Sequence, residues 1–293
     1  MYRRMLVALD GSRISEAVLP YARSFAKALK PPVELLQVID PEHLRAPSES
    51  SRPIDDDLAE ARNNSSAYLS IVAKTFPSVG TVECSVEVGN PAEVIANRAA
   101  AESETLIAMA THGRSGFQRW LLGSVARKVA TIAANPLLLV RAMEESETSG
   151  EADLKRVLVA LDGSESAEIA LPHATDIAGE MLIETVLLQV YDPCTYERLP
   201  RIDQIKQELK AEAEAYLEKK ARELEAAGLE EVSCVALEGY PAAEIVDITH
   251  KMPDSLMVIT THGRSGVQRW LLGSVTERVI HHATGPVLII RVA

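Results

Sequence analysis

The residues whose types and spacing could support chemistry lie in two kinds of loop, and each loop occurs twice. The segment Thr111–Val125 reads THGRSGFQRWLLGSV and Thr261–Val275 reads THGRSGVQRWLLGSV, so the two differ only at Phe117 and Val267. Each begins with a loop holding a histidine, an arginine and two glycines: His112, Gly113, Arg114 and Gly116 in one copy, His262, Gly263, Arg264 and Gly266 in the other. Each ends on a Gly-Ser pair, Gly123-Ser124 and Gly273-Ser274, that opens a helical pattern. The first N–H groups of a helix have no partner inside it and lie at the positive end of its dipole, so such a start can capture a phosphate or another anion. Taken alone, a Gly-Ser pair serves equally well as an ordinary helix cap. Asp10 and Asp162 each close an apolar run and are followed by Gly-Ser. A carboxylate there can accept hydrogen bonds from a ribose, or simply cap the next helix. His112 and His262 could exchange protons, but neither has a Ser or Cys nucleophile partner visible in the sequence, so a role in loop structure is favoured.

These loops need a frame, and the sequence supplies it as a duplication. LVALDGS occurs at Leu6–Ser12 and again at Leu158–Ser164, and VGNPAEVI (Val88–Ile95) is matched by EGYPAAEI (Glu238–Ile245). The order of the matches is kept, which is the signature of a repeated whole domain, and 293 residues suit two domains of about 145 each. Met143–Asp153 is acidic and lacks apolar periodicity, as a solvated connector should. The domains are accordingly set at 1–143 and 154–293, with a linker over 144–153. Within each copy short apolar runs, such as RMLVALD, VELLQVID and TLIAMAT, alternate with helical segments. Near-continuous apolar runs are expected of strands buried on both faces. Strand-helix alternation predicts two doubly wound α/β domains, each with a five-stranded parallel sheet. Ligands of such sheets collect beyond the carboxyl ends of the strands, where the strand order reverses. With 47% hydrophobic but only 4% aromatic residues, the cores are built from Val, Ile, Leu and Ala.

A net charge of −12 argues against a nucleic-acid partner or an anionic membrane surface, which need clustered Lys and Arg. No stretch approaches 18 apolar residues, and the start MYRRMLVALDGS lacks the apolar core of a signal peptide, so the sequence reads as cytoplasmic. Cys84, Cys194 and Cys234 have no metal-ligand spacing and are expected to be packing residues or inert thiols. His281-His282 has no third ligand near it in sequence, and no metal site is expected. Trp120 and Trp270 stand in apolar RWLL runs that suit packing better than stacking on a base.

Both halves resemble the universal stress protein family along nearly their whole length. ATP-binding members of that family carry a Gly, two residues, a second Gly, nine residues, and then Gly with Ser or Thr. Here Gly113 and Gly263 match the second Gly, and Gly123-Ser124 and Gly273-Ser274 match the closing pair, while Ala110 and Thr260 stand in place of the first Gly. The resemblance implies an adenine nucleotide as ligand, ATP or AMP, with or without Mg. It implies that Asp10 and Asp162 face the nucleotide and that Val38 and Val190 lie beside the adenine. Val125 and Val275, at the helix start, complete the implied sites. It further implies that the last strands, Leu137–Arg141 and Val287–Arg291, pair between the two halves of one chain, and a homodimer is compatible with it. Three functions remain open at this point: a nucleotide-binding stress-response regulator acting through assembly or partner binding, an interaction module that binds no nucleotide, and a slow ATPase.

Overall fold

A computed structural model describes residues 2–44, 54–76, 80–111, 122–142, 148–193, 201–263 and 272–292. Contacts divide the chain into two units, Met1–Ala152 and Asp153–Ala293. In the first, the order is β1 (Arg4–Leu9), α1 (Leu19–Leu29), β2 (Val33–Ile39), α2 (Ile54–Ala73), β3 (Val82–Val88), α3 (Pro91–Ala100), β4 (Thr105–Ala110), α4 (Ser124–Ile132) and β5 (Leu137–Val140). In the second it is β6 (Arg156–Leu161), α5 (Glu165–Glu168), α6 (Ala170–Met181), β7 (Glu184–Tyr191), α7 (Ile202–Ala226), β8 (Val232–Glu238), α8 (Pro241–Lys251), β9 (Ser255–Thr260), α9 (Ser274–His282) and β10 (Val287–Ile290).

Among the described residues, each unit is a parallel sheet of five strands, ordered β3-β2-β1-β4-β5 in the first and β8-β7-β6-β9-β10 in the second. The chain steps outward from β1 to β3 and then returns to lay β4 on the other side of β1. Right-handed crossovers therefore put α1 and α2 on one face and α3 and α4 on the other. The order reverses between β1 and β4, and between β6 and β9, the place in such sheets where ligands are received at the carboxyl ends. The central strands are buried as the apolar runs require: Met5, Leu6 and Val7 in β1 and Val157, Leu158 and Val159 in β6 are fully buried.

The edge strands depart from the sequence expectation. β3 and β8 are only partly buried, because each borders one strand alone and is covered on one face, by α2 and α7 respectively. Cys84 and Cys234 stand exposed on these edges, so neither is a core residue. Partial burial pushes both thiols up from their ordinary value, which lowers their thiolate fraction and fits the inert reading. Cys194 lies outside the described residues.

At the opposite end of the first sheet, Glu34 of β2 is buried between two arginines. Its Oε2 lies 3.2 Å from Arg4 Nη1, and its Oε1 accepts from Arg98 Nε at 2.9 Å. Arg4 also donates to the Arg98 carbonyl (2.6 Å) and to Thr105 Oγ1 (3.2 Å). The described part of the acidic connector is held against α1 of the first unit. Arg23 donates from Nε to the Gly150 carbonyl and from Nη2 to the Thr148 carbonyl, while Ser24 Oγ donates to the Ala152 carbonyl at 2.9 Å. Composition alone gave no hint of this docking, since it uses backbone carbonyls that every sequence has. No described helix is long and apolar enough to cross a membrane.

Candidate functional site

Asp162 follows the last residue of β6, and its Oδ1 accepts from Ser164 N at 3.0 Å and Ser164 Oγ at 2.6 Å. The turn between them passes through Gly163 at φ 81°, a conformation glycine adopts without strain. Ser164, not Asp162, caps the next helix, accepting from Ala167 N at 3.2 Å. Asp10 repeats the arrangement, its Oδ1 accepting from Ser12 N (2.9 Å) and Ser12 Oγ (2.6 Å), with Gly11 at φ 79°. The aspartates thus stiffen the turn and stay at the mouth of the crevice, only half-buried.

In both Gly-Ser pairs the cap position belongs to glycine and not to serine. Gly123 and Gly273 occupy the N-cap position without a side-chain capping bond, and Ser124 and Ser274 are already the first helical residues. A serine one place past the cap does not close the helix start, so the leading N–H groups of α4 and α9 are left without a capping side chain. Each cap glycine instead ties back to its strand end, donating its N–H to the carbonyl of Thr111 (2.8 Å) or Thr261 (2.9 Å). A Cβ on Gly273 would lie 2.8 Å from the Thr261 oxygen, so the chain's own backbone demands glycine there. At Gly263 the neighbour is a side chain instead: a Cβ there would overlap the Asp162 Oδ2 atom, and the carboxylate would have to move.

The two replacements of the first motif glycine sit at the ends of β4 and β9, where both are buried and neither has a positive φ. Ala110 and Thr260 therefore cost no backbone strain. Thr260 uses its hydroxyl locally, donating from Oγ1 to the His262 carbonyl at 2.9 Å, and its own carbonyl accepts from Thr276 Oγ1 at 2.8 Å. His262 Nδ1 lies 3.2 Å from Thr261 Oγ1.

In the second unit these pieces surround one cavity of about 480 Å³, within the range of small-molecule sites. Asp162, Val190, Thr260, His262, Gly263, Gly273, Ser274 and Val275 all line it. Arg264 and Gly266 lie outside the described residues. In the first unit Asp10, Val38, Ala110, Gly123, Ser124 and Val125 occupy the same places on the same elements, while His112, Gly113, Arg114 and Gly116 fall outside the described residues, as do Trp120 and Trp270.

Other lining residues went unrecognised in the sequence. Leu209, Glu212 and Ala213 of α7 and Pro241 and Ile245 of α8 form walls, and Gln189 of β7 stands among them. The helix residues carry no sequence signal beyond amphipathicity. Gln189 does have one, a polar residue inside an apolar strand that recurs as Gln37 in the same LLQV run. Behind the cavity, Tyr216 Oη donates to Glu168 Oε1 at 3.0 Å and Lys220 Nζ to Glu168 Oε2 at 2.7 Å, joining α5 to α7. Burial opposes ionisation of Glu168, but the bonds from Lys220 and Tyr216 outweigh it and hold the carboxyl below its ordinary value. Lys220 is raised by its bond to Glu168, and Tyr216 is raised first by burial and then by the same carboxylate.

The cavity runs across three adjacent strands. β9, which feeds the helix start at α9, borders β6, which ends at Asp162, and β6 borders β7, which carries Gln189 and Val190. Two strand spacings separate β9 from β7, roughly 10 Å. A helix start without a capping side chain, a carboxylate and the end of β7 thus follow one another in a line.

Comparison with known proteins places this arrangement. The model of the universal stress protein family matches residues 1–141 and again 153–291. The chain is similar to a universal stress protein of Methanocaldococcus jannaschii, 36% identical over 146 residues that cover 49% of this chain and 85% of that protein. It is also similar to one of Mycolicibacterium smegmatis, 25% identical over 98% of this chain and 96% of the relative. In three dimensions it shares the fold of a universal stress protein from Archaeoglobus fulgidus, with a TM-score of 0.74, 24% identity and 99% of both chains covered. The chain belongs to the universal stress protein family, with one domain of that family in each half.

Proposed function

We propose that each half binds one adenine nucleotide, ATP or AMP, and that occupancy acts as a switch on assembly or partner binding in a stress response. The observation that carries the reading is the linear order of features in the second-unit cavity. Phosphate fits the uncapped start of α9, ribose hydroxyls fit the Asp162 carboxylate one strand away, and a base fits the niche at β7 two strands away. Val190 and Ile245 give that niche its apolar character. Pairing through Leu137–Arg141 and Val287–Arg291 and a cytoplasmic location belong to the same proposal. The test is to denature purified protein in acid and separate the released small molecules by chromatography at 260 nm. Adenine nucleotide at up to two equivalents per chain is the expected result. A nucleotide-free extract together with no binding in titration would leave the interaction-module reading, and turnover of Mg-ATP in excess would establish the ATPase.

The two sites are expected to differ. Ala110 adds one methyl group where Thr260 adds a branched side chain, and Thr260 lines the cavity. With the other site closed by a single Ser→Asp substitution at its helix start, the first site is expected to bind ATP several-fold more tightly than the second, on the order of 1 kcal/mol for relief of one steric intrusion. Thr260→Ala should then narrow the gap. Equal affinities by calorimetric titration, or a tighter second site, would show that this position does not govern access.

A further inference from the structure

The two halves share a fold and a loop pattern, but the charges around their proposed sites do not match. Three positions can be compared directly. The repeated LVALDGS is followed by Arg13 in the first half and by Glu165 in the second. Ala67-Tyr68-Leu69 and Ala215-Tyr216-Leu217, with both leucines fully buried, align α2 with α7 and put Asn64 where the second half has Glu212 on the cavity wall. Three residues past the serine that opens α4 stands Arg127, and at the same place in α9 stands Glu277. All six residues are exposed, and the five charged ones make no ion pair with a described residue. These positions carry two positive charges in the first half and three negative charges in the second. Asp56 and Asp57 at the start of α2, which correspond to Gln204 and Ile205 of α7, reduce the difference without reversing it.

The helix starts are the most informative. A cation in the first turn opposes the helix dipole, so Arg127 disfavours α4 until an anion arrives, whereas Glu277 suits α9 without one. An anion that reaches α9 must approach against Glu277. Such a field acts in proportion to the charge of the ligand, and ATP carries roughly two more negative charges than AMP near neutral pH. We propose that the two halves select nucleotides by charge, the first favouring the triphosphate and the second shifted toward the monophosphate. This rests on the nucleotide-binding reading above. It is separate from the steric difference at Thr260, which acts on the part that ATP and AMP share and leaves their ratio unchanged. A chain so built is filled best when both nucleotides are present, and its occupancy follows their ratio.

The experiment titrates ATP and AMP calorimetrically into the full chain at low ionic strength without divalent cations, one site at a time, the other being closed by Ser274→Asp or Ser124→Asp. The ratio of ATP to AMP affinity is expected to be at least about tenfold higher at the first site than at the second, and the difference should fade in about 0.5 M salt. Arg127→Glu should lower the first-site ratio about threefold, and Glu277→Arg should raise the second-site ratio by about the same factor. Glu277→Gln replaces the arginine if that variant fails to fold. Equal ratios at the two sites, or folded variants whose ratios stay unchanged, would overturn the charge selection while leaving nucleotide binding in place. A wild-type chain that binds neither ATP nor AMP would overturn both readings together.

Discussion

Replacing Ser124 and Ser274 by aspartate is expected to weaken ATP binding by about 100-fold at each site while leaving the melting temperature unchanged or slightly raised. Both serines are exposed first residues of nine-residue helices whose cap positions carry no capping side chain. An acidic residue in the first turn favours the helix by about 0.3–1 kcal/mol through the dipole. A phosphate held at the same N–H groups would lie about 5 Å from the new carboxylate. At an effective dielectric of about 20, that repulsion is about 3 kcal/mol per charge pair, or roughly two decades of affinity. Opposite signs for stability and binding are what separate a ligand site from a merely structural helix start. The glycines beside these serines make poorer probes. A side chain on Gly273 meets the Thr261 carbonyl before it meets any ligand, so loss of binding there would confound a damaged loop with a blocked site. Retained affinity in the folded Ser124→Asp, Ser274→Asp variant, measured by calorimetry, would remove the helix starts from the proposed site.

The second large effect concerns stability and uses the duplication as its own control. Glu34→Val is expected to destabilise the first unit by about 3 kcal/mol, because it leaves the Arg4 guanidinium, with a side chain only 17% exposed, without its buried carboxylate. Arg98, more exposed at 40%, contributes less through solvent screening. In the second unit the register positions of Glu34 and Leu6 are held by Val186 and Leu158. The eighth residue of the helix, Arg98 in α3, is Ile248 in α8. Both Val186 and Ile248 are buried, while Arg156, at the place of Arg4, is paired instead with Glu184 (3.4 Å) and Asp254 (2.5 Å). Adding Arg98→Ile to Glu34→Val should recover only the smaller share that Arg98 carries, because Arg4 stays without its buried carboxylate. Thermal unfolding reads the result as a drop of roughly 6–12 °C for the single variant and a smaller one for the double. A single variant as stable as wild type would show that the buried cluster contributes nothing.

The duplication, the α/β class and the positions of the repeated loops can be read from the amino-acid order alone. Repeated segments in conserved order and strand-length apolar runs are local signals, and they survive without any knowledge of packing. The same order shows that Asp162, Gly263 and Gly273-Ser274 belong together, because their pattern repeats around Asp10, Gly113 and Gly123-Ser124. Tertiary structure decided what each of them does. Whether Ser274 caps a helix or stands one residue inside it depends on the bond from Gly273 to the Thr261 carbonyl, a contact across the loop that no spacing reveals. Whether Thr260 strains the chain depends on its strand backbone, and whether its hydroxyl is spent depends on the His262 carbonyl. Edge and centre were equally invisible, since β3 and β8 are half-exposed only because a single strand borders each of them. The cavity walls contributed by α7 and α8 come from residues far apart in the chain with ordinary side chains. Gln37 and Gln189 are the intermediate case: the sequence shows a polar residue in an apolar strand, but only the structure shows each one buried with its Oε1 unpartnered among the described residues.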